Sequence, residues 1–145
     1  ISKKHAPNRA VLKDKRVVLV DDSIVRGNTS KRIVRMVREA GAKEIHFRSA
    51  SPPIRFPDYY GIDMPSEQEL MASRMSLEEM RNELEVDSLG FLSVDGLYWA
   101  VGDVKRDPNT PQYADHCFTG DYPTRLIDRR YDEVGRDAQL SFLDD

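Results

Sequence analysis

A chain of 145 residues with 22 Lys and Arg against 25 Asp and Glu, net charge −3, has the size of one ordinary domain and no general attraction to nucleic acid or anionic membrane. Its longest aliphatic run, Val17-Val18-Leu19-Val20, falls far short of the ~20 apolar residues of a bilayer span. The single Cys117 can neither close an intramolecular disulfide nor by itself hold a structural zinc or an iron–sulfur cluster, which take about four ligands, so a reducing, cytoplasmic setting fits best.

Residues 1–10 are basic and polar, punctuated by Pro7 and Asn8, and lack the apolar stretch and small-residue cleavage site of a signal peptide. Opening on Ile1, the chain reads as a piece of something longer. Lys15-Arg16 and the four aliphatic residues after them predict a fully buried strand of a parallel sheet. Ile33, Val34, Met36, Val37 and Ala40 then recur at helical spacing, with Lys31, Arg32, Arg35 and Arg38 among them and Gly41 just past the end, so residues ~29–40 form an amphipathic helix. Glu44 to Ala50 alternates and is rich in strand formers. Strand, helix and strand in one sheet make a right-handed parallel crossover, and the fold class is α/β.

Ser51 to Pro57 holds three prolines and is a rigid, irregular loop. Ser66-Glu67-Gln68-Glu69 and Ser76-Leu77-Glu78-Glu79 both match the capping box, predicting short helices near 66–73 and 77–84. A short strand is expected within Val86 to Val94 and one or two helical turns within Gly96 to Val101. From Asp103 onward Pro, Asp and Arg accumulate and apolar periodicity fades. The chain therefore divides into a domain over 1–102 and an arm over 103–145, expected to pack on a neighbour or to be partly disordered.

The chemistry concentrates between Asp21 and Ser30. Ligands of parallel α/β sheets bind at the carboxyl ends of strands, which is where Asp21 and Asp22 emerge. A small polar loop follows, with Ser23, Arg26, Gly27, Asn28, Thr29 and Ser30, and leads into a helix whose first-turn amides and positive dipole end suit an anion. Carboxylates beside a phosphate cradle suit a ligand with hydroxyls, a metal and a phosphate. An isolated Asp-Asp more often starts a turn or caps a helix, but the whole ordered series is much rarer by accident. A nucleotide P-loop needs an earlier Gly and a Lys that this loop lacks. A receiver domain needs an acceptor Asp at the end of the next strand, and Ile45 to Ala50 ends without one.

Val17 to Ser30 resembles the phosphoribosyl pyrophosphate (PRPP) motif of type I phosphoribosyltransferases. Ser51-Pro52-Pro53-Ile54, Tyr60-Gly61-Ile62-Asp63-Met64-Pro65, Asp87-Ser88-Leu89 and Cys117-Phe118-Thr119-Gly120-Asp121-Tyr122-Pro123-Thr124 are similar to glutamine PRPP amidotransferases, so the likeness spans nearly the whole chain. The resemblance implies part of a type I phosphoribosyltransferase fold without its first strands. It also implies a reaction in which ammonia, released from glutamine in a separate N-terminal domain, displaces pyrophosphate from PRPP to give phosphoribosylamine in the first step of purine synthesis. Carried over by residue, Asp21 and Asp22 bind the ribose hydroxyls and Mg²⁺, Ser23 lines the same site, and Arg26, Gly27, Asn28, Thr29 and Ser30 wrap the 5′-phosphate. No protein nucleophile is required. Ile1 to His5 corresponds to the end of a loop that closes over PRPP, with Lys3 and Lys4 adding charge near pyrophosphate, and the full-length form is expected to be a homo-oligomer.

The chain departs from the pattern in two places. Cluster-bearing members have cysteines near positions matching Asp58 and Ala114, and only Cys117 remains here, which points to a cluster-free branch without a [4Fe–4S] centre. Asn28 stands where Thr is usual, although its amide can still donate. A PRPP-sensing regulator on the same fold should carry a basic DNA-binding segment, which is not visible, and a salvage phosphoribosyltransferase does not account for residues 51–65 or 117–124. His5, His46 and His116 show no metal-ligand spacing and receive no role. Tyr59-Tyr60 and Tyr98-Trp99 are expected in the core or in subunit contacts, and Cys117 as a buried, inert small hydrophobe.

Overall fold

The computed structural model describes residues 7–126. After a single turn, α1 (Arg9–Leu12), three parallel strands β1 (Arg16–Asp21), β2 (Glu44–Ser49) and β3 (Ser88–Phe91) form one sheet in the order β1-β2-β3. The register sets Leu19 beside Phe47 and Phe47 beside Leu89. Helix α2 (Asn28–Glu39) makes the first crossover, and α3 (Met71–Arg74) and α4 (Leu77–Glu83) lie in the second. Their apolar stripes meet the sheet in one core, where Val34, Val37, Met71, Met80 and Leu84 pack with Ile24, Ile45, Phe47 and Leu89.

Strand β1 departs from the expectation of full burial. Val17 and Leu19 are partly buried against the core, whereas Val18 and Val20 are 63% and 66% exposed. The helices of the core all pack on the face that carries Ile45, Phe47 and Leu89, and the register places Val18 beside His46 and Val20 beside Arg48 on the other. That face carries a polar chain in which His46 contacts Ser88 at 2.8 Å and Glu44 at 3.1 Å, and Glu44 pairs with Arg16 at 2.6 Å. A run of valines reads the same whether one face or both are covered.

Both capping boxes form. The first caps only a 3-10 turn, Glu67–Glu69, because Leu70 takes an extended conformation (ψ 121°) and separates that turn from α3. Helix α5 (Val94–Ala100) starts earlier than expected, with the Ser93 hydroxyl accepting from the Gly96 amide at 2.9 Å. It buries Tyr98 but leaves Trp99 75% exposed, so the two adjacent aromatics have different surroundings.

The described part of the arm is irregular apart from one turn, α6 (His116–Thr119), and it folds back on its own chain. Arg106 and Asp115, 12% and 3% exposed at their side chains, pair at 2.5 Å, and Asp115 also accepts from the Tyr98 hydroxyl at 2.8 Å. The Cys117 carbonyl accepts from the Arg55 and Phe56 amides at 2.9 and 3.1 Å, and the Tyr122 hydroxyl donates to the Pro57 carbonyl at 2.8 Å. Cys117 itself is only partly buried. Its thiol is pushed up by burial and, less, by the nearby Asp58 carboxylate. Residues 127–145 of the arm and Ile1 to Ala6, with Lys3 and Lys4, lie outside the described residues.

Candidate functional site

Strand β1 delivers Asp21 to the carboxyl edge of the sheet, and the chain turns at once toward α2. Within that turn the Asp21 carboxylate accepts from the Asp22 amide at 3.0 Å, and the Asp22 carboxylate accepts from the Ser23 hydroxyl at 3.0 Å. Each of these contacts uses Oδ1, and among the described residues neither Oδ2 receives a hydrogen bond or a cation. Ile24, 1% exposed, anchors the loop in the core, and the Val25 carbonyl accepts from the Met71 amide at 2.8 Å. The loop is thus fixed from below while its polar side chains face outward.

Gly27 ends the loop in a left-handed conformation (φ 80°) as the N-cap of α2. It has no side chain to cap the helix, so the first-turn amides of Asn28, Thr29 and Ser30 keep no side-chain cap, and no acid stands in that turn. Such a helix start presents donors and positive dipole to an anion. A Cβ at Gly27 would stand 2.6 Å from the Met71 sulfur. Gly27→Ala is therefore expected to cost about 1–2 kcal/mol locally from backbone conformation alone, read as a ~5–30-fold faster exchange of the Lys31 amide, whose bond to the Gly27 carbonyl closes the first turn.

These groups surround one pocket of about 550 Å³. All eight residues singled out in sequence line it: Asp21, Asp22, Ser23, Arg26, Gly27, Asn28, Thr29 and Ser30. Ser30 is buried at 3% exposure, and Thr29 and Asn28 are open to solvent. Arg26 lines the pocket, but its guanidinium pairs with Glu69 at 3.1 Å with both side chains about half exposed. Such an exposed pair is weak and leaves the guanidinium open to competition from another anion. Asp63, Met64 and Pro65 also line the pocket, and sequence reasoning gave them no role. They stand more than thirty positions along the chain, and only the return of the 51–65 loop brings them to β1.

Hard oxygen donors suit Mg²⁺, which is held by one or two carboxylates together with substrate phosphates. The two unengaged Oδ2 atoms of Asp21 and Asp22, in the same pocket as the uncapped start of α2, fit that requirement. A four-thiolate iron–sulfur cluster does not fit, since the chain has one cysteine.

Residues 2–50, which carry the acid pair at the strand end, the short polar loop and the uncapped helix start, match the phosphoribosyl transferase domain family. Over nearly its whole length the chain is similar to amidophosphoribosyltransferases. It is 56% identical over 141 residues, 97% of the chain, to the amidophosphoribosyltransferase of Rhizobium etli, and 54% identical over 118 residues, 81% of the chain, to that of Bacillus subtilis. The solved structure of glutamine PRPP amidotransferase from B. subtilis complexed with ADP and GMP superposes with a TM-score of 0.76 at 52% identity, covering 84% of this chain and 27% of that one. The chain spans about a quarter of the length of these relatives, 28% and 25%.

Proposed function

We propose that this chain is the PRPP-binding part of an amidophosphoribosyltransferase that makes 5-phosphoribosylamine from PRPP and glutamine-derived ammonia, releasing pyrophosphate, in the first step of purine synthesis. The observation that carries the reading is the single pocket where the Asp21–Asp22 carboxylates meet the uncapped start of α2. The relatives that match nearly the whole chain carry that enzyme's name.

In this reading the amides of Asn28 to Ser30 and the Thr29 hydroxyl hold the 5′-phosphate, with Arg26 leaving Glu69 to join them. Asp21 and Asp22 accept from the ribose hydroxyls through charged oxygens, which fixes C1 toward the incoming ammonia. The same carboxylates, Asp21 and Asp22, would hold Mg²⁺, which would supply positive charge beside the leaving pyrophosphate. No side chain of this chain acts as nucleophile, and the work of its residues is positioning and electrostatics. Ammonia comes from a glutaminase domain outside this chain, in a homo-oligomer. The reading takes the enzyme to be cytoplasmic, a setting in which its single cysteine stays reduced. We propose no iron–sulfur cluster on this chain.

Thr29→Ala tests the phosphate cradle. Removing one hydroxyl donor to a charged acceptor costs ~1.5 kcal/mol or more, so titration calorimetry on the full-length protein should show about tenfold weaker binding of both PRPP and ribose 5-phosphate. Equal loss for the two ligands is expected because both place the same phosphate on the loop. Wild-type affinity of the variant for ribose 5-phosphate would assign Thr29 to ordinary helix capping and place the phosphate elsewhere.

A further inference from the structure

Outside the pocket, the most completely buried polar cluster lies where the arm crosses the 54–62 loop. Asp58 and His116 are 1% and 4% exposed at their side chains, and the His116 Nε2 stands 2.6 Å from Asp58 Oδ1. The other oxygen of Asp58 accepts from the Tyr60 and Ile62 amides at 2.9 and 2.8 Å. One buried carboxylate thus gathers three donors, two from its own loop and one from the arm. Burial pushes the Asp58 carboxyl up, but the bonds from the Ile62 amide, the His116 imidazole and the Tyr60 amide outweigh it and hold the group below its ordinary range. The carboxylate is charged, so the imidazole donates. Nδ1 of His116 is buried without a hydrogen-bond partner, so the contact to Asp58 is the one the ring makes through a nitrogen.

The turn that Asp58 ties together runs directly into Asp63, Met64 and Pro65, which line the phosphate pocket. Around the pair, the Tyr60 and Tyr122 rings lie 5.0 and 5.1 Å from the His116 ring. The Tyr60 hydroxyl meets the Thr124 hydroxyl at 2.9 Å. With the Tyr122 bond to the Pro57 carbonyl, the arm grips this loop from both sides of Asp58.

We infer that His116 is a positioning residue for the pocket: through its hydrogen bond to Asp58 the arm fixes the 58–62 turn, and with it the Asp63 to Pro65 wall against which the ligand is held. The inference rests on reading the pocket as the PRPP site. A wall that touches the ligand equally before and during reaction affects binding more than turnover, so the mark of this role is a change in KM with little change in kcat.

In the full-length enzyme, His116→Phe keeps a ring against Tyr60 and Tyr122 but removes the donor. It should raise the KM for PRPP at least fivefold, change kcat less than twofold, and speed hydrogen exchange at the Tyr60 and Ile62 amides. His116→Gln supplies an amide donor and should bring KM back within twofold of wild type. A folded His116→Phe enzyme with wild-type KM, or Phe and Gln variants with the same KM, would overturn the inference. Should the Phe variant fail to fold, Tyr122→Phe loosens the same grip by one bond. It should raise KM two- to threefold, and an unchanged value overturns the inference equally. A wild-type enzyme that does not turn over PRPP overturns the functional reading and this inference together, whereas an active wild type with an unaffected His116→Phe overturns this inference alone.

Discussion

Asn at both Asp21 and Asp22 is expected to lower PRPP turnover in the full-length enzyme by two or more decades, a loss of at least ~2.7 kcal/mol of transition-state stabilisation. The carboxylates are acceptors whose charge matters more as positive charge builds on the ribose ring and the leaving pyrophosphate departs. The fold should survive. The bonds from the Asp22 amide and the Ser23 hydroxyl both end on Oδ1, and an asparagine side chain offers an oxygen in the same place. Only the charge and the acceptor at Oδ2 are lost. Steady-state rates with saturating ammonia and Mg²⁺, alongside a thermal melt, separate the two effects. Rates within threefold of wild type, under ~1 kcal/mol, would remove these residues from the substrate site.

How far the sequence could be read depended on how local each cause was. The α2 helix was legible to within a residue because apolar spacing, basic flanks and Gly41 all act within four positions of one another. That eight residues line one pocket was legible for the same reason, since all of them fall within the ten positions 21–30. Whether Val18 and Val20 are covered depends on which elements reach their face, which no local pattern records. The Asp58–His116 pair joins residues 58 positions apart, and a lone histidine in a polar stretch carries no sign of such a partner. The Pro, Asp and Arg content of the arm, read as that of a segment that packs on a neighbour or is partly disordered, likewise gives no sign that Arg106 and Asp115 meet each other and Tyr98 out of water.

That buried pair is the basis of the last expected result. Arg106→Ala should release the arm from α5, because it leaves the Asp115 carboxylate, 3% exposed, without its cation; removing one member of a buried pair typically costs ~3–5 kcal/mol. Asp115 would keep only the neutral donors Tyr98 and Thr119. Burial pushes the Asp115 carboxyl up, but the Arg106 guanidinium and the Tyr98 and Thr119 hydroxyls together hold it below its ordinary range. A carboxyl depressed by folding contributes stability above its unfolded value of about 3.9, and that contribution fades as the pH falls through the lower folded value. The protection of the Phe118, Thr119 and Gly120 amides, which close α6, should therefore hold near neutrality and weaken below about pH 4. Arg106→Ala should lower that protection at neutral pH by at least ~100-fold, the equivalent of about 3 kcal/mol of opening free energy. Tyr98→Phe, which deletes one hydroxyl donor and leaves the ion pair, should lower it only ~5–10-fold, about 1–1.5 kcal/mol. If Arg106→Ala changes α6 exchange no more than Tyr98→Phe does, the ion pair is not what holds the arm, and the packing of Tyr98 against Tyr113, with ring centroids 5.3 Å apart, takes its place.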